Sequence, residues 1–256
     1  SKGLEVGSRE CSGSAPTRVC FAGEDLDWLG GPSVCLAINL RTTVKITDAR
    51  EFEVRNIYCL AIWRELQNRK HVDRIYEPSS FRSSCDAPTG SGISTSTSFS
   101  IAYLLAVRSH LDLKFGDQEL LEIAYLAEFS ISRGGGMDHI AIGYGGLVLT
   151  EGVTAGLPVI TETRNWLKNW GLVLVSSSQV KNSATHLKSI RGRARMSDPP
   201  LRQYMNDCSD CVEHLWDAIQ AEDYFAVAHG MNRAHGLMRD LQGMSTSRIE
   251  AIRTAM

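Results

Sequence analysis

No apolar run in the 256-residue sequence approaches the roughly 20 residues of a membrane span, and the N-terminal stretch lacks a signal-peptide core. Neither sign of charge dominates: 27 Lys and Arg stand against 29 Asp and Glu, a formal net charge of −2. So balanced a chain carries no electrostatic footprint for nucleic acid or an anionic membrane, and neither partner is expected. The cysteines do not pair off. There are seven, at 11, 20, 35, 59, 85, 208 and 211, scattered mostly through apolar stretches, which favours reduced thiols in a cytoplasmic protein. Cys208-Ser209-Asp210-Cys211 is a lone CxxC without a second pair, so zinc is not expected. Histidines 139, 186, 214, 229 and 235 lack metal-ligand spacing, and the sequence has no internal repeat. With 43% hydrophobic and 22% charged residues, the composition is that of a globular protein forming one large domain or two small ones.

The most informative stretch runs from Asp86 to Ser98, Asp-Ala-Pro-Thr-Gly-Ser-Gly-Ile-Ser-Thr-Ser-Thr-Ser, and leads into the apolar-rich segment Phe99–Val107. Glycines allow backbone N–H groups to converge on one point, and a helix starting just after them adds unpaired donors and the positive end of its dipole. That combination suits a phosphate. The same residues also suit a Ser/Thr-rich turn that only caps a core helix. No lysine follows the glycines in the P-loop manner, which argues against a Walker-type site.

Residues 1–16 are Gly- and Ser-rich and read as a flexible lead-in. Thr17–Ala22 is a strand pattern ending in Gly23-Glu24-Asp25-Leu26-Asp27-Trp28-Leu29-Gly30-Gly31-Pro32, where three acids fall within four residues. A surface loop can carry them harmlessly; beside an apolar strand and Trp28 they can also grip several hydroxyls of a polyol. Ser33–Asn39 and Arg41–Asp48 read as paired strands, and Asn56–Gln67 and Gln118–Phe129 as helices. Ser132–Ala141 sets three glycines before Asp138, either as a helix N-cap or as an acid held where backbone meets ligand. Leu147–Leu149 and Leu172–Val175 read as strands, the latter buried, with a boundary near Thr154–Pro158. Arg191–Pro200 reads as a solvated basic connection, and Gln203–Ala221, Tyr224–Gln242 and Ser245–Met256 as helices.

Taken in order, these segments resemble one family. Arg18, Gly23, Glu24, Asp27, Gly30 and Gly31 match the first motif of GHMP kinases of the galactokinase-like branch. Pro88, Gly90, Gly92, Ile93, Ser94, Thr95 and Ser96 meet their Pro-x-Gly-x-Gly-Leu-Ser-Ser-Ser motif. Gly135, Gly136, Met137, Asp138 and His139 are similar to Gly-Ile-Met-Asp-Gln, while Met231–His235 and Met244–Thr246 resemble two later helices. The resemblance, from about Thr17 onward, implies an α+β fold of two domains. The N-terminal one, 17–156, would resemble ribosomal protein S5 domain 2, and the C-terminal one, 157–256, would be ferredoxin-like, with the active site in the cleft between them. It implies an ATP-dependent kinase that phosphorylates a hydroxyl of a sugar or sugar derivative. ATP would be wrapped by Pro88, Gly90, Ser91, Gly92, Ser94, Thr95 and Ser96. Mg²⁺ would be held by Ser96 and Glu128, Asp138 would be the catalytic base with Arg18 beside it, and Glu24, Asp25, Asp27 and Gly136 would bind substrate.

Some features depart from the pattern. The motif histidine is Asp25, replacing a potential donor by an acceptor-only carboxylate, which counts against galactose itself. The residue after Asp138 is His139, and the connection between Asp48 and Asn56 is short. The family's third glycine motif, Lys-x-x-Gly-Ala-Gly-x-Gly-Gly, is missing; it should follow a helix such as Ser245–Met256. On that ground the C-terminal domain is expected to be incomplete and the chain part of a longer polypeptide. The other readings are a galactokinase-like sensor with little or no turnover, and a mevalonate-type kinase.

Overall fold

The computed structural model describes residues 10–47, 56–73, 80–166, 169–179 and 183–256. One long strand, β2 (Pro32–Thr47), organises the sheet. Strand β1 (Cys11–Ala22) runs antiparallel along one of its edges. Along the other edge β3 (Ser80–Cys85) pairs with the C-terminal end of β2, and β4 (Leu147–Glu151) with its N-terminal end. Strand β5 (Val159–Arg164) is added outside β4, and all these pairings are antiparallel. Short α1 (Leu26–Leu29) follows β1; α2 (Ile57–Asn68), α3 (Thr95–His110), α4 (Asp117–Ser132) and α5 (Met137–Tyr144) complete the N-terminal half. Beyond β5 come α6 (Ser183–Arg195), α7 (Pro199–Gln220), α8 (Tyr224–Leu237), a π-helical turn Met238–Gln242 and α9 (Ser247–Ala255).

The two-residue period of a strand decides what each face of β2 covers. Buried Val34 and Leu36 pack with Val212, Leu215 and Ile219 of α7, whereas Cys35, pointing the other way, packs with Met137 and Ala141 of α5. At the far end of β2, Val44 and Ile46 join the largest core with α2, α3 and α4, where buried Trp63 Nε1 donates to the Tyr103 hydroxyl at 2.9 Å. The helices that bear the glycine loop and Asp138 are thus both seated on the strand pair β1–β2.

The architecture is mixed α/β with an antiparallel sheet, as expected for the two-domain kinase fold, but several elements differ from the sequence reading. The segments 33–39 and 41–47 are one strand, not two, Asp48 lying outside the described residues: no Gly or Pro interrupts Asn39-Leu40-Arg41, and the irregularity survives as a register shift against Pro16/Thr17. Strand β1 begins at Cys11 within the expected lead-in, because Cys11–Pro16 ladders onto Arg41–Ile46 despite its poor β-formers. Leu172–Val175 is not a buried strand. Val173 is 76% exposed, and among the described residues no strand pairs with the segment. Arg191–Pro200 is not a solvated loop but the end of α6 and the start of α7. Asp198 accepts the Leu201 N–H at 3.1 Å as an N-cap, Pro199 occupies a first-turn position, and Arg193 Nη2 donates to the Leu241 carbonyl at 2.6 Å. The short Asp48–Asn56 connection (up to Arg55) and residues 1–9 lie outside the described residues.

Candidate functional site

The glycine loop reaches α3 through alternating left-handed residues: Gly90 (φ 75°), Gly92 (φ 83°) and Ser94 (φ 59°). Residues before a helix start do not need this conformation to cap it, and Ser94 makes no side-chain cap bond to α3. Alternating left-handed residues of this kind can turn successive N–H groups to one side, and just ahead of the first-turn amides of α3 such a loop suits an anion. Strand β1 anchors the loop: Arg18 N–H donates to the Ile93 carbonyl at 3.2 Å and Arg18 Nη1 to the Gly92 carbonyl at 3.3 Å.

The Ser94 hydroxyl turns to the acid side of the cleft and donates to Asp138 Oδ2 at 2.6 Å. The other oxygen, Oδ1, receives Arg18 Nε at 2.6 Å and lies 2.5 Å from Arg18 Nη2. Burial opposes the Arg18 charge, but Asp138 and Glu24 outweigh it and hold the guanidinium well above its ordinary pKa. Asp138 stands in the first turn of α5, two residues inside the helix and not at its N-cap, which is Gly136. An ionised carboxylate at a helix N-terminus, held by a permanent cation, can take up a hydroxyl proton while that cation faces developing negative charge.

The acid loop is braced from three sides. Tyr204 of α7 donates to the Glu24 carbonyl at 2.7 Å, Gly152 N–H to the Gly31 carbonyl at 2.9 Å, and Val153 N–H to the Asp27 carbonyl at 3.0 Å. Asp27 accepts its own neighbour's Trp28 N–H at 3.0 Å and the Met137 N–H at 3.0 Å, so both its oxygens hold backbone. It thereby fixes the entry to α5, and Gly135 is required beside it: a Cβ there would fall 1.9 Å from Asp27 Oδ2. Asp25 lies in the left-handed region (φ 67°); its Oδ1 receives Trp28 Nε1 at 3.1 Å, and its Oδ2 lies 2.7 Å from His186 Nε2. Glu24 sits 3.8 Å from Arg18 Nη2.

Burial pushes the Asp27 carboxyl from 3.8 up to about 7, the Met137 hydrogen bond opposing and the neighbouring acids adding to it. Across that window the folded state keeps a proton that the unfolded chain releases, so stability falls as pH rises and levels off above about 7. Denaturant midpoints measured from pH 5 to 8 should show this decline in the wild type. In Asp27→Asn it should be shallower, on a lower baseline, because the carboxamide turns an N–H toward one of the two amides. An equal slope in both proteins would assign the decline to other groups.

On the opposite wall Glu128 of α4 is largely buried. Its Oε2 receives the Thr97 hydroxyl at 2.7 Å and lies 2.8 Å from His139 Nε2. No aligned hydrogen bond joins them, since both His139 ring nitrogens are buried without a hydrogen-bond partner among the described residues. Glu128 Oε1 has no such partner among the described residues. A carboxylate oxygen left open beside the hydroxyl-rich start of α3 is a hard donor set that fits a divalent cation such as Mg²⁺. Among the described residues no cluster of three or more His, Cys, Asp or Glu could hold a metal unaided.

One cleft is lined by most of the residues singled out in the sequence: Arg18, Glu24, Asp25, Asp27, Gly90, Gly92, Ser94, Thr95, Ser96, Glu128 and Asp138. Three do not line it. Pro88 and Ser91 are exposed, and Gly136 is buried against Leu157 and Pro158, leaving Gly134 and Gly135 to face the cleft. The sequence reading also missed His186 and Leu187 of α6 on the cleft wall and Arg191, whose guanidinium lies 4.4 Å from the Trp28 ring centre. Nothing in their spacing marks them, because α6 was taken in part for loop.

Residues 57–146 match the family model described as GHMP kinases N terminal domain. Among solved structures, L. major mevalonate kinase in complex with R-mevalonate superposes with a TM-score of 0.67 at 16% identity, covering 94% of this chain and 78% of its own. Methanococcus jannaschii mevalonate kinase gives 0.69 at 17% identity, covering 97% and 83%. Lactococcus lactis galactokinase complexed with galactose gives 0.69 at 14%, covering 96% and 79%. No curated protein matches the sequence. Residues 57–146 are thus similar to a GHMP kinase N-terminal domain, and the chain's fold is the one shared by solved GHMP kinases.

Proposed function

We propose that the protein is an ATP-dependent kinase that transfers the γ-phosphoryl group to a hydroxyl of a sugar or sugar derivative. The observation that carries this reading is the bond from Ser94 to Asp138, which joins an anion cradle to an arginine-held carboxylate. The cradle residues Gly90–Ser96 bind the nucleotide phosphates through backbone N–H groups. Asp138 orients the acceptor hydroxyl and receives its proton, and Arg18 offsets charge on the phosphoryl oxygens. In a loose transition state proton transfer lags phosphoryl transfer, so positioning of the hydroxyl by Asp138 carries much of its role. Mg²⁺, held by Glu128 and Ser96, would neutralise phosphate charge when bound. The match of Asp27, Gly30 and Gly31 to the galactokinase-like motif favours a sugar acceptor over mevalonate, although Asp25 and Asp27 are held by protein partners and do not themselves grip hydroxyls.

An ATP-consumption screen over neutral monosaccharides, amino sugars, uronic acids, mevalonate and phosphomevalonate tests this, with the phosphorylated carbon located by phosphorus-coupled NMR. Turnover on a sugar is the expected result. Turnover on mevalonate alone would move the protein to the other branch, and sugar binding without ATP consumption would make it a sensor.

A further inference from the structure

Asp25, which stands where the sequence motif has histidine, carries an imidazole partner from elsewhere in the chain. His186 of α6, 161 residues on, places Nε2 at 2.7 Å from Asp25 Oδ2. An ionised carboxylate only accepts, so in the neutral imidazole Nε2 carries the hydrogen and Nδ1 keeps a lone pair. Nδ1 has no hydrogen-bond partner among the described residues, nor is it among their buried unpaired atoms, and the ring lines the cleft that contains Arg18 and Asp138. Asp25 has nothing further to offer a ligand directly. It is 6% exposed, and its second oxygen is taken by Trp28 Nε1, with Arg191 of α6 stacked over the same indole. The three side chains Trp28, Asp25 and His186 thus form a relay in which only the last member keeps a vacant polar atom.

We infer that His186 is a specificity-determining residue that accepts a hydrogen bond through Nδ1 from a second hydroxyl of the acceptor, one not phosphorylated, with Asp25 as its positioning residue. The inference rests on the sugar-kinase reading and sharpens it. The acceptor must present a hydroxyl donor on the α6 side of the cleft, and an analogue lacking that hydroxyl leaves a desolvated Nδ1 unpaired and is rejected.

The test compares wild type, His186→Leu and His186→Gln on D-galactose, D-mannose, D-glucose and their monodeoxy derivatives, with AMPPNP affinity measured by calorimetry alongside. For the best sugar, His186→Leu should raise KM about tenfold or more and leave AMPPNP affinity within about twofold. One monodeoxy sugar, discriminated against by the wild type, should lose that disadvantage in His186→Leu. His186→Gln should restore much of the discrimination, since its amide N–H can face Asp25 and its carbonyl can accept. A merely structural histidine would weaken all sugars alike and keep their ranking, which overturns the inference while sparing the kinase reading. If the wild type binds AMPPNP but consumes ATP with no neutral monosaccharide, amino sugar or uronic acid, the sugar reading falls and takes this inference with it.

Discussion

Asp138→Asn is expected to lower phosphoryl transfer by about 10²–10⁴-fold, the range that a positioned general base contributes. The carboxylate is bound on both oxygens, by Arg18 on one and Ser94 on the other. A carboxamide can keep its oxygen toward Arg18 and turn its N–H₂ to the Ser94 hydroxyl, which then accepts, so the substitution removes the base while leaving the link to the glycine loop in place. AMPPNP affinity should nevertheless change little, because the cradle is made of backbone. Single-turnover kinetics with the best sugar, beside calorimetry on the same preparation, separates the two. Turnover near that of the wild type would end the assignment of Asp138.

Gly92→Val is expected to weaken ATP binding more than tenfold in a protein that still folds. At φ 83° a β-branched side chain is strained, by about 1–2 kcal/mol for the left-handed conformation alone, and 1.4 kcal/mol is already a factor of ten. The loop relieves that strain by leaving the conformation, and it then loses both the convergence of its amides and the Gly92 carbonyl's bond from Arg18. Circular dichroism establishes the fold and calorimetry the affinity. Undiminished affinity in a folded variant would return the loop to the role of a helix cap.

The parts of this site legible in the sequence are those whose chemistry is local. Gly90, Gly92 and Ser94 form one turn, and Asp138 follows its glycines within the same segment, so residue type and order pointed to them. The start of α5 was legible only in part: Asp138 read as one candidate N-cap, whereas the helix begins at Met137, whose N–H is held by Asp27 from 110 residues away. Leu172–Val175 misled because an apolar run cannot report whether a partner strand exists. His186 left no signal, since the residue that gives it meaning is Asp25 on another element, and Asp25 itself was legible only as an acid in a cluster.

Strand β2 has a consequence for the order of folding. Its partners come from residues 11–22, 80–85 and 147–151, and the contacts that complete the cleft span 120 residues for Arg18–Asp138, 161 for Asp25–His186 and 180 for Glu24–Tyr204. Contacts so distant along the chain are made only after large loops have closed, which slows their formation relative to local helices. The glycine turn and α3 can form early while the acceptor side waits for α6 and α7. During refolding, recovery of nucleotide binding should therefore run ahead of recovery of sugar binding.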